Sequence, residues 1–226
     1  MLRIGFIGTG GMGQHHIENI MSTIPGTTVV AVNDANEQVA QQVAANCGAR
    51  YIADPYALIR AEDVDAVMIA SWDPTHEGFS IAAIEAGKYV FCEKPLSDTP
   101  EGCQRIMEAE MKAGKRLLQV GFMRRYDKDY RELREVIASG TIGIPLVIHA
   151  THRNLAPAGG AEITNDMAAT NSLVHEFDVT RFLIGGNDTY VSAQLVTPRP
   201  SRFCGEGLLD PQLVYLETSS GIRIDL

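Results

Sequence analysis

The chain has 226 residues, of which 45% are hydrophobic and 21% are charged. This composition is typical of a folded globular protein and excludes a mainly disordered or low-complexity chain. At roughly 100–200 residues per domain, the length allows one large domain or two small ones. The formal net charge is -9, from 19 basic and 28 acidic residues, which argues against general affinity for DNA, RNA or anionic membranes.

Neither the cysteines nor the N-terminus is typical of a secreted or membrane protein. No cysteine pair forms C-x-x-C and none has zinc spacing with histidine, so we expect no metal site. We expect buried, reduced thiols at all four cysteines, which are Cys47, Cys92, Cys103 and Cys204. The N-terminal apolar run is too short for a signal peptide, and no stretch approaches the roughly 20 residues that span a bilayer. A cytoplasmic location is therefore expected.

The first half of the chain alternates short β-branched runs with longer stretches of helical spacing. Strands are predicted at residues 2–7, 28–33, 66–70, 89–92 and 117–120, and helices at residues 36–45, 75–86 and 100–113. Each of these helices is followed within three residues by a glycine, a residue that is favoured at helix ends. The alternation predicts an α/β fold, a Rossmann-type doubly wound parallel sheet, over residues 1–122.

The pattern changes near residue 122. Helices are predicted at residues 127–138 and 172–184, strands at residues 146–151, 191–196, 213–218 and 222–226, and a loop rich in Gly, Pro and Ala at residues 154–169. Ser219-Ser220-Gly221 suits a hairpin turn between the last two strands. Residues 123–226 are therefore predicted to form a second, α+β domain with an open antiparallel sheet.

The segment Gly8-Thr9-Gly10-Gly11-Met12-Gly13 matches the G-x-G-x-x-G pattern of dinucleotide-binding domains. It follows the first predicted strand and opens a helix, the context that the pattern requires. Gly8 permits the tight turn, Gly10 the approach of a pyrophosphate, and Gly13 close helix–strand packing. Met12, inside the loop, is a further candidate cofactor contact. The start of the helix offers free N–H groups to the phosphates.

Asp34 ends the second strand, about 20 residues after the glycine loop, where the dinucleotide pattern has an acid. Its carboxylate is placed to accept hydrogen bonds from the adenosine ribose and to repel a 2′-phosphate. Because no arginine follows closely, NAD is expected rather than NADP. The alternative is a glycine-rich turn followed by an aspartate that only caps a helix.

Glu93-Lys94-Pro95 directly follows the strand predicted at residues 89–92. Ligands of doubly wound sheets bind beyond the carboxyl ends of the strands, so Lys94 is predicted to lie beside a nicotinamide. There its ammonium would donate to a substrate hydroxyl and favour loss of the hydroxyl proton. An equal alternative is a surface lysine paired with Glu93.

Asn171, His175 and Asp178 share one face if residues 171–178 are α-helical. A neutral histidine accepts a hydroxyl proton near neutral pH, which hydride abstraction from an alcohol requires. This predicts a catalytic role for His175. The alternative is a histidine on the helix surface, with Asn171 serving only as the helix N-cap.

These motifs together resemble the glucose–fructose oxidoreductase and inositol dehydrogenase family over the whole chain. The pattern is a glycine loop, a Glu-Lys-Pro after the fifth strand and a helix with a catalytic histidine. Four further segments are similar to the inositol 2-dehydrogenase branch: Ala70-Ser71-Trp72, residues 87–96, Gly121-Phe122-Met123-Arg124-Arg125-Tyr126-Asp127, and His152-Arg153-Asn154.

The resemblance implies NAD-dependent oxidation of myo-inositol to its 2-keto product, scyllo-inosose, with Lys94 and His175 as the catalytic pair. It implies substrate contacts from Arg124, His152, Asn154 and Asp178, and cofactor-side contacts from Ser71, Trp72, His76 and Glu93. Packing is an equal alternative for Trp72. Since family members commonly pair through the second sheet, the resemblance also implies a homo-oligomer, a dimer or tetramer.

Two features depart from the family pattern. Asn171 stands four residues before His175, where many inositol dehydrogenases have Asp, so a weaker base is expected. The family's second domain normally continues beyond residue 226, and the last strand is expected to be a bare edge, which natural proteins protect. Either the chain is a fragment, or a partner chain covers this edge, or the substrate pocket is open. The alternatives are a dehydrogenase of another cyclitol or sugar, and a nucleotide-binding module without turnover.

Overall fold

The computed structural model describes residues 1–154, 164–186, 188–197 and 209–226. These residues form two compact units, Met1–Gly121 and Phe122–Leu226. Cys204 and most of the predicted loop at residues 154–169 lie outside the described residues.

The first unit contains a six-stranded, all-parallel sheet in the order β3-β2-β1-β4-β5-β6. Its strands are β1 (Leu2–Ile7), β2 (Thr27–Asn33), β3 (Arg50–Tyr51), β4 (Ala66–Ile69), β5 (Tyr89–Cys92) and β6 (Leu118–Val120). Its helices are α1 (Gly11–Thr23), α2 (Glu37–Cys47), α3 (Pro55–Arg60), α4 (His76–Glu85) and α5 (Pro100–Ala113). The doubly wound sheet is confirmed, and its strand order reverses between β1 and β4, where such folds bind ligands.

Both faces of this sheet are covered by helices. The neighbouring β1 residues Phe6 and Ile7 are 0% and 1% exposed and pack into two different apolar clusters. Successive strand side chains point to opposite faces, so each cluster lies on its own side of the sheet. This double burial explains why the strands have continuous apolar sequences.

The sequence-based prediction missed β3 and α3. The strand has only two residues and therefore forms no apolar run. The helix begins with two recognisable signals: the side chain of Asp54 accepts from the Tyr56 backbone N–H at 2.9 Å, and Pro55 occupies the first turn. Both features are favoured at helix starts.

The second unit contains a four-stranded sheet in the order β7-β10-β9-β8. Its strands are β7 (Val147–His149), β8 (Tyr190–Val196), β9 (Leu213–Thr218) and β10 (Arg223–Asp225), and its α-helices are α6 (Lys128–Ala138) and α7 (Val174–Ile184). Strand β9 is antiparallel to β8 and β10, but β7 is parallel to β10. The sheet is therefore mixed and not purely antiparallel.

The bare edge predicted for the last strand is wrong. The β9–β10 hairpin returns the chain alongside β7, so β10 lies inside the sheet and both of its sides are paired. One sheet face carries a buried cluster that includes Leu216 and Ile224, and Phe177 of α7 packs against it. This packing anchors α7, the helix that carries His175.

Three of the cysteines are free thiols in the described part of the chain. Cys92 is buried, and burial raises the pKa of its thiol to about 12, which keeps it protonated and unreactive. Cys47 and Cys103 are only half-buried, so the prediction of burial is wrong for these two.

Candidate active site

The glycine loop connects the carboxyl end of β1 to α1 and closes tightly on itself. Gly8 has a φ of +97°, and a Cβ there would lie 2.4 Å from the carbonyl oxygen of Ala70. A Cβ at Gly13 would lie 2.1 Å from the Gly8 carbonyl oxygen. Packing therefore requires glycine at both positions.

Packing does not explain the other two glycines of the loop. A Cβ at Gly10 or Gly11 would meet no atom within 4 Å. Helix α1 has no side-chain N-cap bond and no acidic residue in its first turn, so its first N–H groups and the positive end of its dipole suit an anion. Met12 is 54% exposed in this first turn. The open cradle fits the pyrophosphate of a dinucleotide.

Asp34 ties the end of β2 to the glycine loop. Its Oδ2 accepts from the backbone N–H of Thr9 at 2.6 Å and from the Thr9 hydroxyl at 3.1 Å, while its Oδ1 accepts from the Asn36 N–H at 2.8 Å. The sequence alone did not predict this bracing role. A carboxylate has about four acceptor sites, so the predicted bonds to ribose would compete for those that remain.

The loop after β4 contains Ser71, Trp72 and His76. Trp72 is 76% exposed, which makes the packing alternative wrong for its indole. The Ser71 hydroxyl lies 2.6 Å from the hydroxyl of Thr75. His76 is 1% exposed, with its ring nitrogens 2.7 Å from the Pro95 carbonyl oxygen and 3.1 Å from that of Ser71. The cofactor contact predicted for His76 is therefore not supported, because the buried ring links the loops after β4 and β5.

Glu93, at the end of β5, is engaged by helix α1. Its Oε1 lies 2.7 Å from Nε2 of His16, whose ring packs edge-on against Phe91 at 5.6 Å between centroids. Its Oε2 accepts from the Lys94 backbone N–H at 3.3 Å, and a Cβ at Gly121 would lie 3.1 Å from the carboxylate. These contacts leave both predicted roles of Lys94, which is half-buried, as predictions. They also give His16 a bracing role that the sequence did not reveal.

The helix predicted over residues 172–184 is wrong at its start. Residues Ala168–Ser172 form a π-helical turn, and α7 begins only at Val174. A π-turn has a wider spacing than an α-helix, so the argument that Asn171 shares a face with His175 and Asp178 fails. Asn171 is not the N-cap either, since Leu173 holds that position without a side-chain bond.

His175 is buried in the first turn of α7. It is 9% exposed, so the alternative of a surface histidine is wrong. Its ring lies edge-on to Phe122, with centroids 6.4 Å apart, and parallel to the ring of His152 within 7° at 6.3 Å. The imidazole is thus held between two rings on a well-anchored helix.

Glu176, adjacent to His175, is the centre of a polar network that the sequence did not predict. Its Oε1 accepts from Nη1 of Arg124, and its Oε2 lies 2.9 Å from Nδ1 of His152. Nε2 of His152 lies 2.8 Å from Oδ1 of Asn154, whose Nδ2 donates to the Ser172 hydroxyl at 2.7 Å. Both ring nitrogens of His152 are thus occupied, so a direct bond from it to substrate would require exchange of a partner.

Asp178 forms a two-pronged ion pair with Arg125, with N–O distances of 2.8 Å and 2.6 Å. The hydrogen bonds to Asp178 raise the pKa of Arg125, whose guanidinium also lies 5.7 Å from the Phe182 ring centroid. A substrate contact from Asp178 would share the carboxylate with this pair.

The described residues offer neither a metal-binding cluster nor a membrane-spanning helix. Among them, no group of three or more His, Cys, Asp or Glu side chains is arranged to hold a metal ion. None of the helices they form has the length and apolar character needed to cross a membrane.

Comparison with known families identifies the class. Residues 2–122 match the model of an oxidoreductase family with an NAD-binding Rossmann fold, and residues 130–226 match the GFO/IDH/MocA C-terminal domain. The chain therefore belongs to the GFO/IDH/MocA oxidoreductase family.

Individual relatives narrow this class further. An inositol 2-dehydrogenase of Burkholderia lata is 51% identical over 227 residues, and one of Pseudomonas savastanoi pv. phaseolicola is 52% identical, each aligned over 100% of this chain. The myo-inositol dehydrogenase of Lactobacillus casei, solved with NAD(H) and myo-inositol, superposes with a TM-score of 0.92 at 39% identity, covering 100% of this chain and 66% of that one. The chain spans 66% of the length of the curated relatives.

The glycine cradle gives a direct test of cofactor binding. We expect Gly10→Ala to leave the melting temperature unchanged, because its Cβ meets no protein atom, and to weaken NAD binding at least about tenfold by occupying the pyrophosphate space. The measurement is an NAD titration that follows the fluorescence of Trp72, the single tryptophan.

The matched variant is Gly8→Ala, which forces a side chain into the backbone of Ala70. It is expected to lower the melting temperature as well as NAD affinity. Full NAD affinity in the Gly10→Ala protein would contradict the assignment of this loop to the pyrophosphate.

Proposed function

We propose that the chain provides the cofactor-binding and catalytic parts of an NAD-dependent inositol 2-dehydrogenase, which oxidises myo-inositol to scyllo-inosose. The observation that carries the proposal is the presence, in one chain, of an open glycine cradle and of the buried His175 beside a polar network. The whole-chain similarity to inositol 2-dehydrogenases, and to an enzyme solved with NAD(H) and myo-inositol, supports it. Residues 1–122 hold the cofactor, and residues 123–226 bind the polyol and mediate assembly.

In this proposal, His175 takes the proton of the reacting hydroxyl. Burial between two rings fixes the orientation of its imidazole, and a neutral imidazole is an effective base near neutral pH. Lys94 donates a hydrogen bond to the same hydroxyl and stabilises negative charge that develops on the oxygen. Bound NAD supplies the nicotinamide that accepts the hydride from the carbon. The carbon thereby becomes a carbonyl, and the hydroxyl proton remains on His175.

The cofactor preference rests on Asp34. Its carboxylate would face the adenosine ribose and repel a 2′-phosphate, which favours NAD over NADP. Ser71 and Trp72 are proposed to border the nicotinamide side. Glu93 contributes by holding the Glu-Lys-Pro segment against His16.

The polyol contacts are proposed for Arg124, Asn154 and Asp178, with His152 as a bracing residue. Among the contacts of the described residues, one of the five Arg124 N–H groups donates to Glu176, and the other four are proposed to serve substrate hydroxyls. A ring of hydroxyls needs donors and acceptors in alternation, and this set supplies both. Asn171 is proposed, from the family resemblance and not from a shared helix face, to take the place of the acid found in many relatives.

We also propose a cytoplasmic homo-oligomer, a dimer or tetramer, that acts in inositol catabolism. The free thiols of the described cysteines suit a reducing compartment. Exposed apolar side chains on β8 and β9, namely Val191, Leu195 and Tyr215, suit association through this sheet.

The reaction is tested by following NADH formation with NAD and a panel of inositols and sugars. We expect myo-inositol to give the highest kcat/KM, and His175→Ala to lower kcat at least about 100-fold because it loses the base, with NAD affinity retained. His149→Ala is the control, since its side chain is 71% exposed on β7, and it should retain activity. Tight NAD binding without turnover of any polyol would rule out dehydrogenase activity. Preference for another sugar would rule out myo-inositol as the substrate.

A second test concerns the position occupied by Asn171. A carboxylate beside His175 favours its protonated form, so Asn171→Asp should raise the pKa of the base and move the acidic limb of the kcat/KM profile upward by about one pH unit. The measurement is the pH–rate profile of the two proteins. An identical profile would show that this position is not coupled to His175.

A further inference from the structure

One buried charge has no role in the proposed chemistry. Glu176 follows His175 in α7 and is only 2% exposed. An ionised carboxylate is costly to bury unless both oxygens are bonded. Here each oxygen has its own partner, Arg124 on Oε1 and His152 on Oε2. The arrangement is complete only with both partners in place.

Those partners come from separate parts of the second unit. Arg124 lies in the short 3-10 turn Met123–Arg125, and His152 follows strand β7. Their side chains are 21% and 15% exposed, so each is largely enclosed yet retains some accessible surface. Glu176 therefore joins α7 to two segments that carry proposed polyol contacts.

The contact with His152 determines where the ring hydrogen lies. A carboxylate only accepts hydrogen bonds, so Nδ1 of His152 must carry a hydrogen. In the neutral ring, Nε2 is then an acceptor, so the Asn154 amide must turn its NH₂ group toward Nε2, which exchanges the Oδ1 and Nδ2 positions given above. The other end of that amide faces the Ser172 hydroxyl, which can donate or accept. The ring nitrogen of His152 that carries the hydrogen thus determines the orientation of the Asn154 amide and of the Ser172 hydroxyl.

We propose that Glu176 is a positioning residue of the polyol site. It fixes the Nδ1–H tautomer of His152 and the direction of the Arg124 guanidinium, and thereby sets which donors and acceptors Arg124 and Asn154 present. The identity of the ligand rests on the proposed function. The His152 ring lies parallel to that of His175 within 7°. The contact between Glu176 and His152 therefore also fixes the ring that packs beside His175, the proposed base.

Glu176→Gln is the informative variant because it keeps the shape and removes only the charge. Arginine only donates, so the new amide must turn its oxygen to Arg124 and its NH₂ to Nδ1 of His152. The ring hydrogen is then expected to move to Nε2, which reverses the bond to Asn154. KM for the polyol should rise about tenfold, while kcat changes less than about threefold and NAD affinity stays unchanged.

The tautomer is read from long-range ¹⁵N–¹H NMR spectra of the histidines at a pH where the ring is neutral, with the His152 signals assigned by their loss in His152→Ala. Glu176→Asp keeps an acceptor-only carboxylate and should retain the Nδ1–H tautomer and recover part of the KM. Glu217→Gln is the control: this exposed acid pairs with Arg223 on the sheet, and the change should leave the tautomer and KM unaltered.

The outcomes separate this inference from the proposed function. An Nε2–H tautomer in the unaltered protein would overturn it, even if the Glu176→Gln protein does not fold. An unchanged tautomer and KM in a folded Glu176→Gln protein would also overturn it. Absence of turnover with every polyol would contradict the proposed function alone, because the tautomer is measured without substrate.

Discussion

The first unit depends on the close approach of the glycine loop to the ends of the neighbouring strands. Gly8 lies against the backbone of Ala70, in a space that no side chain can enter. The same loop is tied to β2 through Thr9 and Asp34, and α1 is tied to the end of β5 through His16 and Glu93. The start of α1 is thereby fixed where the strand order reverses, with its N–H groups open to a phosphate.

In the second unit, two carboxylates hold helix α7 in place through ion pairs. Glu176 and Asp178 lie two residues apart in α7 and pair with Arg124 and Arg125, two successive arginines of one 3-10 turn. Removing one partner of such a pair would leave the other charge unpaired in a buried setting, which is unfavourable. His175 lies on the same helix and packs against the rings of Phe122 and His152, so its position depends on these ion pairs.

Local signals were sufficient for much of the fold. Helix α5 was predicted at its observed bounds, because Thr99 caps it, Pro100 starts it and Gly114 ends it. Strands β1, β5 and β9 also match, since their apolar runs are bounded by turn residues. The π-turn before α7, the parallel pairing of β7 with β10 and the burial of His76 were not predictable in this way. The β7–β10 pairing joins residues 76 positions apart, and the buried ring of His76 depends on the fold around Pro95.

The candidate site likewise contains residues that the sequence predicted and residues that it did not. The glycine loop, Lys94 and His175 were found from motifs and family resemblance, and their roles remain proposals. Glu176 and His16 were missed because their partners, such as Arg124 and Glu93, lie 52 and 77 residues away. A charged residue on an otherwise apolar helix face was the only available signal for Glu176.

We propose that this chain transfers hydride from one ring carbon of myo-inositol to NAD. The most direct measurement uses myo-inositol deuterated at carbon 2 and asks by mass spectrometry where the label appears. Deuterium is expected in the reduced nicotinamide, together with a product that has lost it. Reduced cofactor without deuterium, or a product that retains the label, would rule out this hydride transfer.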